Sequence, residues 1–190
     1  MIKVFSKYNF VPKVKCFEDN IIVYEFIEGT SLKNKIFDID KTVSIIVQIC
    51  NILAVIHAYG YIFGDLKPSN VMFDDRILLV DYECVTRIGE PLNYASKIYC
   101  SPYQKINKKA IFQFDLFSLE MIFLELLIGY DELKHYFDMN LISEIEPNKI
   151  IINLPNEINN IIKKLLSLSA INNYNDVLEV KAELLAYIEK

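Results

Sequence analysis

His57-Ala58-Tyr59-Gly60-Tyr61-Ile62-Phe63-Gly64-Asp65-Leu66-Lys67-Pro68-Ser69-Asn70, followed by Leu79-Val80-Asp81-Tyr82-Glu83, is the stretch on which the reading of this chain turns. The apolar runs Val71-Met72-Phe73 and Ile77-Leu78-Leu79-Val80 are too short for helices, and Asp74-Asp75-Arg76 supplies a turn between them. A tight hairpin is therefore predicted, with the carboxylates Asp65 and Asp81 on either side of it. Upstream, apolar residues recur at Val43, Ile46, Val47, Cys50, Leu53, Ala54 and His57, one stripe of an amphipathic helix that opens at a cap on Asp40 and stops at Gly60. Farther upstream, residues 11–16 and 21–26 are rich in β-branched and aromatic side chains, and Glu18-Asp19-Asn20 reads as the turn between two strands. Glu28-Gly29-Thr30-Ser31 then breaks the strand and is suited to cap a short helix.

Downstream the chain reads as helical over 112–128, 131–137, 156–168 and 176–188, with Asn156 and Asp176 as the caps of the last two. The most apolar stretch, 111–129, has the length of a membrane span but contains Asp115, Glu120 and Glu125, so a buried core helix explains it better. No repeat, low-complexity tract or Gly/Ser linker divides the chain, and 190 residues with 53% hydrophobic content suffice for a single domain.

The net charge of −5 excludes a basic nucleic-acid surface, and the lysines are interleaved with acids. Cys16, Cys50, Cys84 and Cys100 show no C-x-x-C spacing and lie beside apolar or aromatic residues, which reads as buried free thiols in a reducing cytoplasm. The first residues lack the apolar run of a signal peptide, so a cytoplasmic location with no membrane partner is expected.

The two motifs resemble the catalytic loop and metal-binding segment of the Ser/Thr protein kinases. Further members follow in order. Tyr24-Glu25-Phe26-Ile27-Glu28-Gly29 resembles the hinge that presents backbone groups to adenine, and Met72 stands where the family places an apolar residue beneath the ring. Tyr94-Ala95-Ser96, Tyr99 and Ser101-Pro102 resemble the end of an activation segment, and Asp115-Leu116-Phe117-Ser118-Leu119 the start of the central helix whose aspartate holds the catalytic-loop backbone. The spelling Phe63-Gly64-Asp65 and the residues after Asp81 look most like short kinases of spore-forming Gram-positive bacteria.

The resemblance implies an α+β, protein-kinase-like fold: a mainly helical C-terminal lobe over 28–190, with a remnant β N-terminal lobe and hinge over 1–27. It implies transfer of the ATP γ-phosphate to a hydroxyl of a protein substrate. Asp65 would orient the hydroxyl and take its proton, and Lys67 would stabilise charge on the phosphoryl oxygens. Ser96 would touch both, Asn70 and Asp81 would hold Mg²⁺, and Glu25, Ile27 and Met72 would receive the nucleotide. Related folds phosphorylate antibiotics through a similar Gly-Asp loop, but Lys67-Pro68 favours protein substrates.

The pattern also has departures. Nothing before Val11 resembles a Gly-rich phosphate loop or a Val-Ala-Ile-Lys strand, so the nucleotide-covering lobe reads as incomplete, in either a minimal enzyme or one whose missing portion is supplied by a partner chain. A pseudokinase that binds a partner protein through its helical lobe is the alternative. Phe63-Gly64 replaces His-Arg, Glu83 replaces a Gly, and Tyr103 replaces a Glu whose usual Arg partner is also absent from 170–174. Loss of both members avoids a buried unpaired charge.

Overall fold

A computed structural model of the chain describes residues 2–18, 21–74, 76–92, 96, 98–101, 109–138, 154–165 and 174–190. A single turn of helix, α1 (Ile2–Phe5), precedes an antiparallel pair, β1 (Val14–Glu18) and β2 (Ile21–Tyr24). The pair starts later than the expected residue 11, because Pro12 has no N–H to give to a ladder. All four residues of β2 are exposed, and Phe26 beyond it is 86% exposed.

Glu28-Gly29-Thr30-Ser31 does not cap a helix. Thr30 and Ser31 form a short strand, β3 (Thr30–Ser31), opposite Phe73 and Met72. Gly29 is required there, with φ +127° and a Cβ that would lie 2.9 Å from the Phe73 carbonyl oxygen.

Helix α2 (Ile39–Ala58) opens on Asp38 and not on Asp40: the extended Asp38 accepts a hydrogen bond from the Lys41 N–H at 2.8 Å. It is long and apolar enough to cross a membrane, yet half of that stretch is buried in the fold. Its burial is wider than the expected stripe, taking in Ile45, Ile49 and Ile52 as well as Val43, Ile46 and Leu53. The helix packs against α3 (Gln113–Ile128) on one side and α6 (Val177–Ile188) on another.

After Gly60, β4 (Tyr61–Ile62) pairs antiparallel with β7 (Thr86–Arg87). Between them a 3₁₀ turn (Pro68–Asn70) leads into the expected hairpin, β5 (Val71–Phe73) and β6 (Ile77–Leu79). Its register pairs Val71 with Leu79 and Phe73 with Ile77, and β3 extends the sheet on the β5 side. Helices α4 (Tyr130–Asp138) and α5 (Asn156–Leu165) follow α3, and the expected residues 166–168 lie outside the described ones. Asp176 caps α6 as expected, accepting from the N–H groups of Leu178 and Glu179.

One apolar cluster runs from Phe5 through α2, the hairpin and α3 to Leu184. The thiols are all free, but only Cys50 and Cys100 are buried, while Cys16 and Cys84 are partly exposed. Burial pushes the Cys50 thiol up to about 12.

Every residue of α3 from Phe114 to Leu126 is buried, including the carboxylates that argued against a membrane span. Asp115 and Glu125 have partners, whereas neither carboxyl oxygen of Glu120 has one among the described residues. Burial holds Glu120 well above the usual carboxylate range. Folded protein thus keeps a proton that unfolded protein has released, so stability falls as pH rises above the ordinary carboxylate pKa. Glu120→Gln should flatten the decline in melting temperature between about pH 5 and 8. Glu120→Leu should add about 1–3 kcal/mol at neutral pH, measured by urea unfolding. An unchanged pH profile in Glu120→Gln would show that Glu120 does not carry the slope.

Candidate active site

The loop after β4 cannot satisfy its own amides, because its turns leave them outside any ladder. Asp115, in the first turn of α3 and fully buried, does so instead. Its carboxylate accepts from the Phe63 N–H at 2.7 Å and the Gly64 N–H at 2.9 Å. The His57 Nε2 lies 2.9 Å from Asp115 Oδ2, while Nδ1 is buried without a partner among the described residues, which fits a proton on Nε2. Asp115 therefore holds the catalytic-loop backbone, as expected of the central helix, and His57 ties the end of α2 to the same carboxylate.

Four of the sequence-derived site residues meet directly beyond this anchor. The Lys67 Nζ donates to Asp65 Oδ2 at 2.5 Å and lies 3.2 Å from Ser96 Oγ. The Ser96 hydroxyl donates to Asp65 Oδ1 at 2.5 Å. Asn70 Nδ2 donates to the Asp65 carbonyl at 3.0 Å and to Oδ2 at 3.3 Å. Asp65 and Asn70 are both buried, so these bonds replace water that the groups lose on folding.

Asp81 joins them through the backbone. The Val80 N–H donates to the Asn70 carbonyl at 2.9 Å, which brings the end of the hairpin beside the catalytic loop. Asp81 itself is exposed and takes a left-handed conformation, φ 66°. Tyr82 is buried behind it, edge-on to Phe63 at 5.4 Å between centroids, and its hydroxyl donates to the Phe10 carbonyl at 3.4 Å.

Two neighbours were not singled out from the sequence. Burial and the nearby Asp65 and Asp81 carboxylates push the Cys84 thiol up, with Lys67 opposing them, so this thiol lies within their electrostatic reach. The Tyr24 phenol is pushed up by burial first and then by Asp81 and Glu83, which puts the end of β2 within electrostatic reach of Asp81. Position in the chain gives neither away: Tyr24 reads as hinge and Cys84 as an ordinary core thiol.

The three nucleotide-site residues are less concentrated. Glu25 and Ile27 line a cleft of about 610 Å³ with Lys7, Lys13, Asp74 and Arg76. The Glu25 N–H is committed to the Lys13 carbonyl at 2.8 Å. Met72 is half-buried in β5 and does not line that cleft. A second cleft, about 840 Å³, adjoins Pro68 and Ser69 and contains Tyr99, whose hydroxyl donates to Glu125. Tyr94, Ala95, Pro102, Tyr103 and residues 170–173 lie outside the described residues.

Comparison with known proteins settles the architecture. A family model described as the protein kinase domain matches residues 2–180. The chain belongs to the protein kinase domain family. This kinase domain is 28% identical over 187 residues to the probable serine/threonine-protein kinase PknB of Lactococcus lactis, covering 85% of this chain and 29% of that protein. It is 31% identical over 104 residues to the serine/threonine-protein kinase YabT of Bacillus subtilis, covering 52% of this chain and 31% of that protein. The chain thus spans less than a third of the length of these curated relatives. The solved kinase PK-1 of the Cydia pomonella granulovirus superposes with a TM-score of 0.78 at 18% identity, over 93% of this kinase domain and 76% of that chain, a likeness of fold. The α+β kinase-like fold expected from the motifs is the fold observed.

Asp115→Asn should test the anchor. An amide has one acceptor oxygen where the carboxylate offered two, and its NH₂ would face a loop N–H. The substitution should cost about 2–4 kcal/mol in urea unfolding. A loss no larger than that of an exposed Asp, such as Asp131→Asn, would remove Asp115 from its role as anchor.

Proposed function

We propose that the chain is the catalytic part of a Ser/Thr protein kinase, transferring the γ-phosphate of ATP to a hydroxyl of a protein substrate. The observation that carries this reading is the Asp65 carboxylate held jointly by Lys67, Ser96 and Asn70. Such a carboxylate is poised to orient an incoming hydroxyl and accept its proton. Lys67, two residues on, places a cation where negative charge gathers on the transferred phosphoryl oxygens. Ser96 bridges the pair and keeps both side chains in one geometry.

Asn70 Oδ1 and the Asp81 carboxylate are hard oxygen donors on adjoining segments, which suits Mg²⁺. Among the described residues no group of three or more His, Cys, Asp or Glu side chains could form a complete cage. That also fits an ion completed by water and phosphate oxygens. When bound, Mg²⁺ neutralises and bridges the phosphates of the nucleotide. The backbone of Glu25 and Ile27 would receive the adenine, while Met72 stands outside the cleft they line.

The remainder of the nucleotide clamp would be supplied by a partner chain. The exposed apolar residues Ile21, Ile22 and Val23 of β2 support this, since a two-stranded sheet is marginal alone. Protein substrates are favoured by the serine/threonine-protein kinase names of the relatives. Free thiols throughout suit a cytoplasmic setting.

Asp65→Asn should abolish labelled-phosphate transfer from ATP while shifting the melting temperature little, and equal transfer by both proteins would remove Asp65 from the mechanism. Saturating Mg²⁺·ATP should raise the melting temperature of the unsubstituted protein. Absence of that shift together with absence of transfer would favour a scaffold role.

A further inference from the structure

Gly64 occupies the position at which the kinase motif ordinarily carries arginine, and its surroundings leave no room for a side chain. Its φ is +81°, and a Cβ built there would lie 2.5 Å from the Cys84 carbonyl oxygen, 3.3 Å from its carbon and 3.4 Å from Leu92 Cδ1. The nearest atoms belong to backbone, so they cannot rotate away as a flexible side chain would.

Both sides of this contact are held. Gly64 donates its N–H to Asp115, and its neighbours Phe63 and Asp65 are buried. The Cys84 carbonyl accepts from Thr86 Oγ1 at 2.8 Å, and Thr86 is paired across the sheet with Ile62. The turn that carries Cys84 begins at Asp81 and closes with the Val85 N–H donating to the Tyr82 carbonyl at 3.4 Å. Displacing Cys84 therefore pulls on the segment bearing Asp81, while displacing Gly64 pulls on the segment bearing Asp65.

We infer that Gly64 is a positioning residue: its lack of a side chain lets the catalytic loop and the Asp81–Cys84 turn pack backbone to backbone, fixing the two carboxylates relative to each other. Its bearing on catalysis rests on the kinase reading above; the coupling of the two loops does not.

The chain contains its own control. Gly60 has nearly the same φ, +78°, but a Cβ there meets nothing within 4 Å. Gly60→Ala and Gly64→Ala impose the same backbone strain, and only the second introduces the clash. Hydrogen exchange measured by mass spectrometry on the full chain should show amides of residues 82–87 exchanging about tenfold faster in Gly64→Ala than in Gly60→Ala. Equal exchange in the two variants overturns the inference.

In phosphate transfer, Gly64→Ala should lower kcat by about 10²-fold and raise the Mg²⁺ concentration needed for half-maximal rate, whereas Gly60→Ala leaves that concentration unchanged. A Gly64→Ala enzyme with unaltered Mg²⁺ dependence also overturns it. Should Gly64→Ala fail to fold, Thr86→Val loosens the same carbonyl from its other side. It should produce a smaller change of the same sign in exchange of residues 82–87, and no change would contradict the coupling. The exchange comparison is decisive without any transfer, and Asp65→Asn tests the kinase reading separately.

Discussion

A buried carboxylate that accepts two backbone N–H groups from a loop is the constraint on which the rest of this structure depends. Asp115 lies near the N-terminus of α3, where the helix dipole favours negative charge, and it reaches Phe63 and Gly64 directly before Asp65. A loop without a ladder of its own would otherwise bury unsatisfied amides. Helix α3 is enclosed almost throughout, so the anchor cannot drift toward solvent. The geometry around Asp65 is inherited from the most deeply packed element of the fold.

From that fixed point the electrostatics of the site follow. Asp65 is compensated by Lys67 and by hydroxyl and amide donors, as a carboxylate with little water must be. Asp81 stays exposed, on a turn held from behind by buried Tyr82 and from the side by the Val80 to Asn70 bond. The two acids thus differ in environment: one is enclosed and oriented, the other open to solvent. Burial first, and then the two carboxylates, push the nearby Cys84 thiol up.

Elements with a strong local signal were legible in the sequence. Asp176 caps α6 and the β5–β6 hairpin pairs as expected, because periodicity and turn chemistry act within a few residues. Asp38 and Asp40 could not be separated by composition, since both precede the same apolar stripe and only backbone conformation selects the cap. Strand β3 was invisible because two residues become a strand only when β5 arrives beside them. Asp65, Lys67 and Asn70 were legible because the loop places them within a few positions of each other, and Ser96 because of the family pattern. Tyr24, Cys84 and the solitary state of Glu120 depend on tertiary packing, which no local spacing encodes.

The most direct test of the central claim, that Asn70 and Asp81 converge on one cation beside Asp65, is paramagnetic broadening of backbone amide resonances by Mn²⁺ with a non-hydrolysable ATP analogue. Broadening should be strongest at Asn70 and Asp81, fade with distance from the catalytic loop, and weaken in Asp81→Asn. Broadening centred elsewhere, or unaffected by loss of the Asp81 carboxylate, would contradict it.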